Sequence, residues 1–409
     1  MKNKIYVILF LAFFIRILLI ILFKSYLHPE VWEFEQIINN LLSGKGFLYY
    51  HMGKPYWSVN TPFYSFLSAG IYLVASHNYF AMFLTQIIFS LLLIYIVFAI
   101  GRIIFSEKIG FLSSVFTAFH PGFVYYDVFK LVPLSIDSFF VTFSVFLFLK
   151  FKENPNKWKF ILMGTIIGLG ALSRGIIGVI LPISILYVLF FSKSLSLHKR
   201  IIIVFSLIVG TYSILSPWII RNYIIHKEFI IVSTIGEAFW RGNNKYATGS
   251  CLTKNNTSIL NLWPEDFRNK VDSLDEIHLK KFFLDEAMGF IKDNPLDFIK
   301  LYVKKLYYFW WFSPQSGTLY PLIYLYLYKY IYIFFLLFFV FGIIAVFNVK
   351  DDLCKGRVLV VLFVTMAICL FQSLFYVEGR HRWIVEPLMS ILSAYGALKF
   401  YYFLPLKQQ

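Results

Sequence analysis

Charge is what this sequence has least of. Only 15% of its 409 residues are charged, against roughly 25% in a soluble domain, while 59% are hydrophobic and 21% aromatic. A soluble fold of this length cannot hide so much apolar surface. A bilayer solvates it, provided that backbone groups are satisfied internally. Acidic residues are the scarcer sign, 22 against 38 basic, for a net charge of +16. The basic residues fall mostly between apolar runs, as loop charges of a membrane protein do, so anionic lipid and not nucleic acid is the expected partner. Cysteine is nearly absent. Cys251, Cys354 and Cys369 are spaced as neither a zinc site nor a disulfide framework. There is no phosphate-binding glycine loop, no dinucleotide fingerprint, no zinc-protease helix and no serine-hydrolase elbow. Asp351-Asp352 reads as a loop, so the sequence offers no acidic metal motif and no cofactor is expected, with the metal requirement left open.

What the sequence does have is apolar runs of the roughly 20 residues that cross hydrocarbon as a helix. Ten spans are expected, at about 5–23, 79–101, 109–127, 131–150, 159–174, 175–192, 200–218, 321–347, 357–377 and 383–404. The first reads as a retained helix, because it is too long for a signal peptide, carries Arg16 and lacks a cleavage site. The stretch 61–76 is short, opens at Pro62 and contains Gly70. If it does not cross, Lys2 and Lys4, Arg102 and Lys108, Lys150 to Lys159, Lys193 to Arg200, Lys350 to Arg357 and Lys407 all share one face. The positive-inside rule makes that face cytoplasmic. The expected fold is therefore one all-α polytopic membrane domain over 1–409. Two large extracytoplasmic segments, 24–78 and 219–320, would carry juxtamembrane helices and be able to face each other. In the second, a polar stretch containing Trp263-Pro264 precedes Phe282, Phe283, Ala287, Phe290 and Ile291, which recur at helical spacing. After Asn294-Pro295, the aromatic run 296–312 with Lys300, Lys304 and Lys305 suits a helix at headgroup level.

Charged groups in or beside a membrane are costly and mark candidate sites. Glu30, Glu33 and Glu35 follow the first span directly. Pro29 and a first-turn dipole account for them as a helix start, and a general base at the membrane surface accounts for them equally. Arg174, between two apolar stretches, reads equally as a turn charge and as a phosphate ligand, since a guanidinium fork matches phosphate oxygens. Arg221, Arg380 and Arg382 lie on the expected outer face, against the charge trend, and point to an anionic ligand there. Asp127 and Lys130, at i and i+3, form a pair on spacing alone, with Asp137 beyond them. Arg241-Gly242-Asn243-Asn244 reads as a polar turn.

Several of these runs occur in the order seen in a known family. They are Glu30-x-x-Glu33-Phe34, Asn40-Leu41-Leu42-Ser43-Gly44-Lys45-Gly46-Phe47, Thr61-Pro62-Phe63-Tyr64, Ala171-Leu172-Ser173-Arg174, Pro217-Trp218-Ile219-Ile220-Arg221-Asn222, Gly242-Asn243-Asn244 and Arg380-His381-Arg382 with Glu386-Pro387. In these the chain resembles the multi-spanning GT-C transferases, particularly the bacterial relatives of protein O-mannosyltransferases and aminoarabinose transferases. The resemblance implies a polyprenyl-phosphate sugar donor, an extracytoplasmic glycan, lipid or protein acceptor, and an inverting displacement. It makes Glu30 the base, with Glu33, Asp127 or Asp137 as a possible second acid. It assigns Arg174, Arg221, Arg380 and Arg382 to the donor phosphate, and Asn60, Asn222, Asn243, Asn244 and His381 to the acceptor or sugar site. Three departures stand out. The family has Asp where this chain has Glu30, lysine and paired prolines near Asn60-Thr61-Pro62, and often glutamate near Pro133. The second argues against aminoarabinose. A transporter or flippase of lipid-linked sugars remains the alternative from another class.

Overall fold

The computed structural model describes residues 2–51, 53–192, 195–259, 264–316 and 320–403. Lys193, Trp263 and Lys407, used above, lie outside them. The chain runs α1 Lys2–Phe23, β1 Glu30–Val31, α2 Glu33–Leu42, β2 Tyr49–His51, β3 Lys54–Tyr56, α3 Phe63–Val74, α4 Tyr79–Ile104, α5 Glu107–Ala118, α6 Pro121–Phe129, β4 Lys130–Leu131 and α7 Leu134–Phe151. It continues through α8 Lys157–Ser173, a 3-10 turn Gly175–Val179, α9 Ile180–Phe191, α10 Leu197–His226, α11 Ile235–Gly242, α12 Glu265–Ser273, α13 Glu276–Asp293 and α14 Pro295–Trp310. It closes with α15 Leu322–Phe347, α16 Asp352–Gln372, α17 Gly379–Trp383 and α18 Glu386–Phe403.

Among the described residues, six helices are long and apolar enough by themselves to cross a membrane: 4–23, α4, α7, α10, α15 and α16. The other expected spans depart from single long helices in instructive ways. The one at 109–127 is two helices, because Pro121 has no N–H and cannot continue α5. His120 instead caps α6, its ring accepting from Phe123 N at 3.4 Å. The span at 175–192 begins as the 3-10 turn. The span at 200–218 is exceeded: α10 has 30 residues, about 45 Å against about 30 Å of hydrocarbon. Its last turns therefore stand clear of the apolar zone and hold the loops.

α3 has 12 residues, about 18 Å, too short to cross. Its start is bound to the end of α8, where Thr61 Oγ1 donates to Ser173 O at 2.7 Å. Just after its end, His77 Nε2 lies 2.9 Å from Glu35 of α2. Both ends of α3 thus sit at the same end of the bundle. The opposite end gathers the basic turns. There Arg357 pairs with Glu153 at 2.5 Å, Lys152 Nζ donates to Tyr187 at 3.1 Å and Lys108 Nζ donates to Tyr402 at 2.8 Å.

The helices pack through small residues, as helices in lipid do when van der Waals contact must replace the hydrophobic effect. A Cβ on Gly396 of α18 would lie 2.0 Å from Phe338 O of α15, and one on Gly342 of α15 would lie 2.1 Å from Leu392 O of α18. The outward faces of α1 and α15, with Phe10, Phe14, Leu22, Ile323 and Phe334, are bare apolar surface.

A second core joins the two loop segments. Ile37, Phe47, Tyr56 and Val59 from the first pack with Trp240, Val271, Phe282, Phe283 and Ala287 from the second, under Trp218 of α10. The expected amphipathic face of 282–291 is therefore real, and its partner is the first segment. Glu276 accepts from Trp57 N at 2.7 Å and Ser58 N at 2.9 Å, and Lys54 Nζ donates to Val271 O at 2.8 Å. Lys305 of α14 departs from the headgroup expectation. It is fully buried, and its ammonium donates to Gly242 O at 3.1 Å and Asn243 Oδ1 at 2.8 Å.

Candidate active site

At the bundle end away from the basic turns, a cleft opens between the loop core and the helix ends. It consists of two chambers that share Trp32, Glu33, Asn60, Tyr376 and Arg380. The inner chamber, about 190 Å³, is floored by Asp137, Arg174 and His381. The outer, about 390 Å³, adds Tyr49, His51, Thr234, Glu237 and Arg241.

Glu33 opens α2, where its charge favours the helix dipole. Asn60 Nδ2 donates to its Oε1 at 3.0 Å, and no described residue donates to Oε2. Arg380 stands on the short helix α17. Its Nε lies 2.7 Å from Glu378, its guanidinium carbon is 4.5 Å from the Trp32 ring centroid, and its terminal nitrogens have no protein partner among the described residues. Burial works against its charge, but Glu378 more than offsets that and keeps Arg380 firmly protonated. Arg174 ends α8. It lies 3.5 Å from Asp137 Oδ2, while Ser173 Oγ donates to Asp137 Oδ1 at 2.6 Å. His381 is buried, and burial followed by the nearby positive charge of Arg174 and Arg380 holds it neutral. Its Nδ1 accepts from Glu378 N at 3.2 Å, which closes the cap of α17.

Of the residues expected at the site, the structure brings Glu33, Asp137, Arg174, Arg380, His381 and Asn60 to one cleft. It places the rest elsewhere, each for a physical reason. Glu30 lines neither chamber. β1 pairs with β4 in parallel, so Glu30 lies beside Lys130, whose Nζ donates to it at 2.7 Å, and Trp32 Nε1 donates to it at 3.1 Å. That contact also replaces the pair expected between Lys130 and Asp127. Asp127 is sealed in the bundle, bound by Arg16 Nε at 2.8 Å and Ser135 Oγ at 2.5 Å. Arg221 is consumed in holding the first loop, donating to Trp57 O at 2.5 Å and Ser58 Oγ at 3.1 Å while covering the Trp218 ring. Asn222 beside it takes Ser58 Oγ at 2.9 Å and donates to Ile230 O at 3.0 Å. Arg382 is fully buried, with Glu386 at 2.5 Å, Phe309 O at 3.1 Å and Tyr328 Oη at 3.0 Å. Asn243 is spent on Phe239 O at 2.8 Å and Leu374 O at 2.7 Å. Asn244 is spent on Trp240 O at 2.7 Å.

The sequence reading missed Glu237, Arg241 and His51 as a unit. Arg241 Nε donates to Glu237 Oε1 at 2.9 Å, and His51 Nε2 lies 3.2 Å from Oε2. Burial would raise the Glu237 carboxyl, but Arg241 and His51 overcome it and hold it at about 2. The i, i+4 spacing of Glu237 and Arg241 was a legible signal. His51 arrives from 186 positions away, and no local pattern announces it. Among the described residues no cluster of His, Cys, Asp and Glu is arranged to hold a metal ion.

Residues 59–220 match the model of a family described as dolichyl-phosphate-mannose-protein mannosyltransferase. No curated protein matches the chain. The fold is similar to the oligosaccharyltransferase of Archaeoglobus fulgidus solved with Zn and sulfate, at TM-score 0.56 and 13% identity over 97% of this chain and 49% of that one. It is similar to ArnT from Cupriavidus metallidurans bound to undecaprenyl phosphate, also at TM-score 0.56 and 13% identity, over 97% of this chain and 60% of that one. The oligosaccharyltransferase AglB from Archaeoglobus fulgidus, in complex with an inhibitory peptide and a dolichol-phosphate, aligns at TM-score 0.54 and 15% identity over 100% of this chain and 53% of that one. The chain thus spans roughly half of each archaeal structure and three fifths of ArnT. It has the GT-C architecture, that of a multi-pass membrane protein, and is similar to transferases whose descriptions carry a polyprenyl or dolichyl phosphate.

Proposed function

We propose that this protein is a membrane glycosyltransferase that moves a sugar from a polyprenyl-phosphate donor to an extracytoplasmic acceptor hydroxyl or amine, with inversion at the anomeric carbon. The observation that carries the reading is the inner chamber. A carboxylate with a free oxygen, Glu33, and two guanidinium groups, Arg174 and Arg380, line one cleft at the end of an apolar bundle. The donor's phosphate sits between the arginines and its prenyl chain lies against the helices. The acceptor oxygen attacks the anomeric carbon, its proton passes to Glu33 Oε2, and the bond from anomeric carbon to phosphate oxygen breaks. The electron pair leaves on the phosphate, where Arg174 and Arg380 stabilise the developing charge. Preorganised charge of this kind is usually the largest catalytic term, roughly 10²–10³ in rate per donor lost. Glu30, the base expected from the resemblance, lines neither chamber and is held by Lys130, so the reading gives the base role to Glu33. The basic turns at the far end face the cytoplasm by the positive-inside rule, which puts the cleft outside, in the plasma or inner membrane.

The test is release of polyprenyl phosphate by the protein in lipid, offered a panel of polyprenyl-phosphate sugars with a crude envelope fraction as acceptor. Glu33→Gln lowers release by roughly 10²–10⁴, while Glu30→Gln keeps most of it. Loss in Glu30→Gln with activity kept in Glu33→Gln returns the base to Glu30. Transbilayer movement of an intact donor, without release, identifies a flippase.

A further inference from the structure

We infer that the outer chamber is a saccharide subsite: the acceptor hydroxyl comes from a neutral sugar, carried by a free glycan or a glycolipid headgroup, and not from a peptide side chain. This rests on the reading that the inner chamber takes the donor phosphate. Three observations carry it.

The first is the lining. Tyr49 and Tyr376 line the chamber together with the Glu237–Arg241 pair. Planar faces flanked by fixed polar groups suit a ring of C–H faces and equatorial hydroxyls. At about 390 Å³ the chamber is within the roughly 300–1,000 Å³ of small-molecule sites. The second is charge. Arg241 gives Glu237 its Nε at 2.9 Å, so the two neutralise each other. Arg380, shared with the inner chamber, belongs on that reading to the donor phosphate, and what remains open toward the outer chamber, Arg241 Nη1 and the hydroxyls of Tyr49 and Tyr376, is a set of hydrogen-bond donors without described partners. That set favours a polyol over an anion.

The third is the shortage of free main-chain donors at the chamber. An extended peptide gains its main-chain bonds by adding to a free sheet edge. Along the hairpin β2–β3 and the residues that follow it, the N–H groups that would receive one are taken or missing. Tyr50 N is already given to Gln36 Oε1 at 2.8 Å, Pro55 has no N–H, and Trp57 N and Ser58 N are taken by Glu276 at 2.7 and 2.9 Å.

The test is direct binding, without turnover, by saturation-transfer NMR on the full chain in nanodiscs. The probes are maltose, cellobiose and lactose, set against a serine- and threonine-containing heptapeptide. At least one disaccharide is expected to bind and the peptide is not. Tyr49→Phe and Tyr376→Phe, which delete single hydroxyls without touching the fold, each weaken it roughly 2- to 10-fold, the worth of one hydrogen bond. Arg241→Lys weakens it as well, and Glu30→Gln leaves it unchanged. Peptide binding without sugar binding overturns the inference, as does no sugar binding at all, or sugar binding indifferent to all three chamber variants. Because no donor is present, sugar binding that responds to the variants upholds the chamber even if the transfer assay fails.

Discussion

Single residues at this site are decided by partners rather than by type. Four arginines look equivalent in sequence, yet Arg221 and Arg382 spend their donors on protein acceptors, while Arg174 and Arg380 each give one nitrogen to a carboxylate, Asp137 or Glu378, and keep the rest for the cleft. Replacing either of the cleft pair by Lys, which keeps a cation beside Asp137 or Glu378 but loses the guanidinium fork, is therefore expected to cut transfer by roughly 10²–10³ with little change in thermal unfolding. Arg382→Ala is expected to lower the unfolding temperature, because buried Glu386 loses its guanidinium partner and keeps only His120 and Tyr328. Unfolding and release measured on the same preparations separate the two kinds. Asp127 belongs with the second kind. Asp127→Ala leaves Arg16 charged and sealed, at a cost on the order of 3–5 kcal/mol, and unfolding in detergent reads it.

Glu237 supplies a pH dependence. Its carboxyl is held at about 2, below the ordinary 4.5, so its contribution to stability is complete above about pH 4.5 and drains away as pH falls toward 2. The unfolding temperature of the wild type is expected to exceed that of Glu237→Gln above pH 4.5, and the two to converge toward pH 2. A gap that does not narrow on acidification contradicts the assignment.

At the scale of elements, small residues set how close the long helices come. Gly396 of α18 faces the α15 carbonyl of Phe338, where even one methyl would lie 2.0 Å away. Gly396→Val is expected to push α15 and α18 apart. α18 is also tied to α17 through Glu386 and Arg382, so the same substitution lowers transfer through Arg380 without touching the cleft. An unfolding temperature and a release rate that both stay at wild-type values would show that the helices accommodate the side chain. The break at His120-Pro121 works on the same scale. It frees the His120 ring to meet Glu386, so an interrupted helix becomes an anchor for the one that follows the cleft.

At the scale of the whole molecule, the loop segments form a unit with its own apolar core, locked onto the last turns of α10 by Arg221, Asn222 and Trp218. The cleft is the seam between that unit and the membrane bundle. Orientation is testable at this scale. Single cysteines at Lys108 and at Lys355 are expected to react only with membrane-permeant maleimides in intact cells. One at Lys254, in the second loop, is expected to react with impermeant reagents. The reverse pattern would turn the molecule over and put the cleft inside.

The sequence by itself determined the class and the long elements, because apolar length and loop charge are local quantities that a bilayer reads directly. It also determined which segments carry the site, since an acid or an arginine at the end of an apolar run has few bland explanations. Only the tertiary structure decided which of those groups face the cleft and which are spent on protein partners. The parallel pairing of Glu30-Val31 with Lys130-Leu131 moves Lys130 off Asp127 and onto Glu30, which leaves Glu33 as the open carboxylate. Arg16, alone in the first span, claims Asp127 from 111 positions away. His51 and Glu237 meet only because two loop segments share one core. Ion pairing depends on distance in space, and buried charges take the partners that packing provides, so periodicity and spacing along the chain name the candidates while packing selects among them.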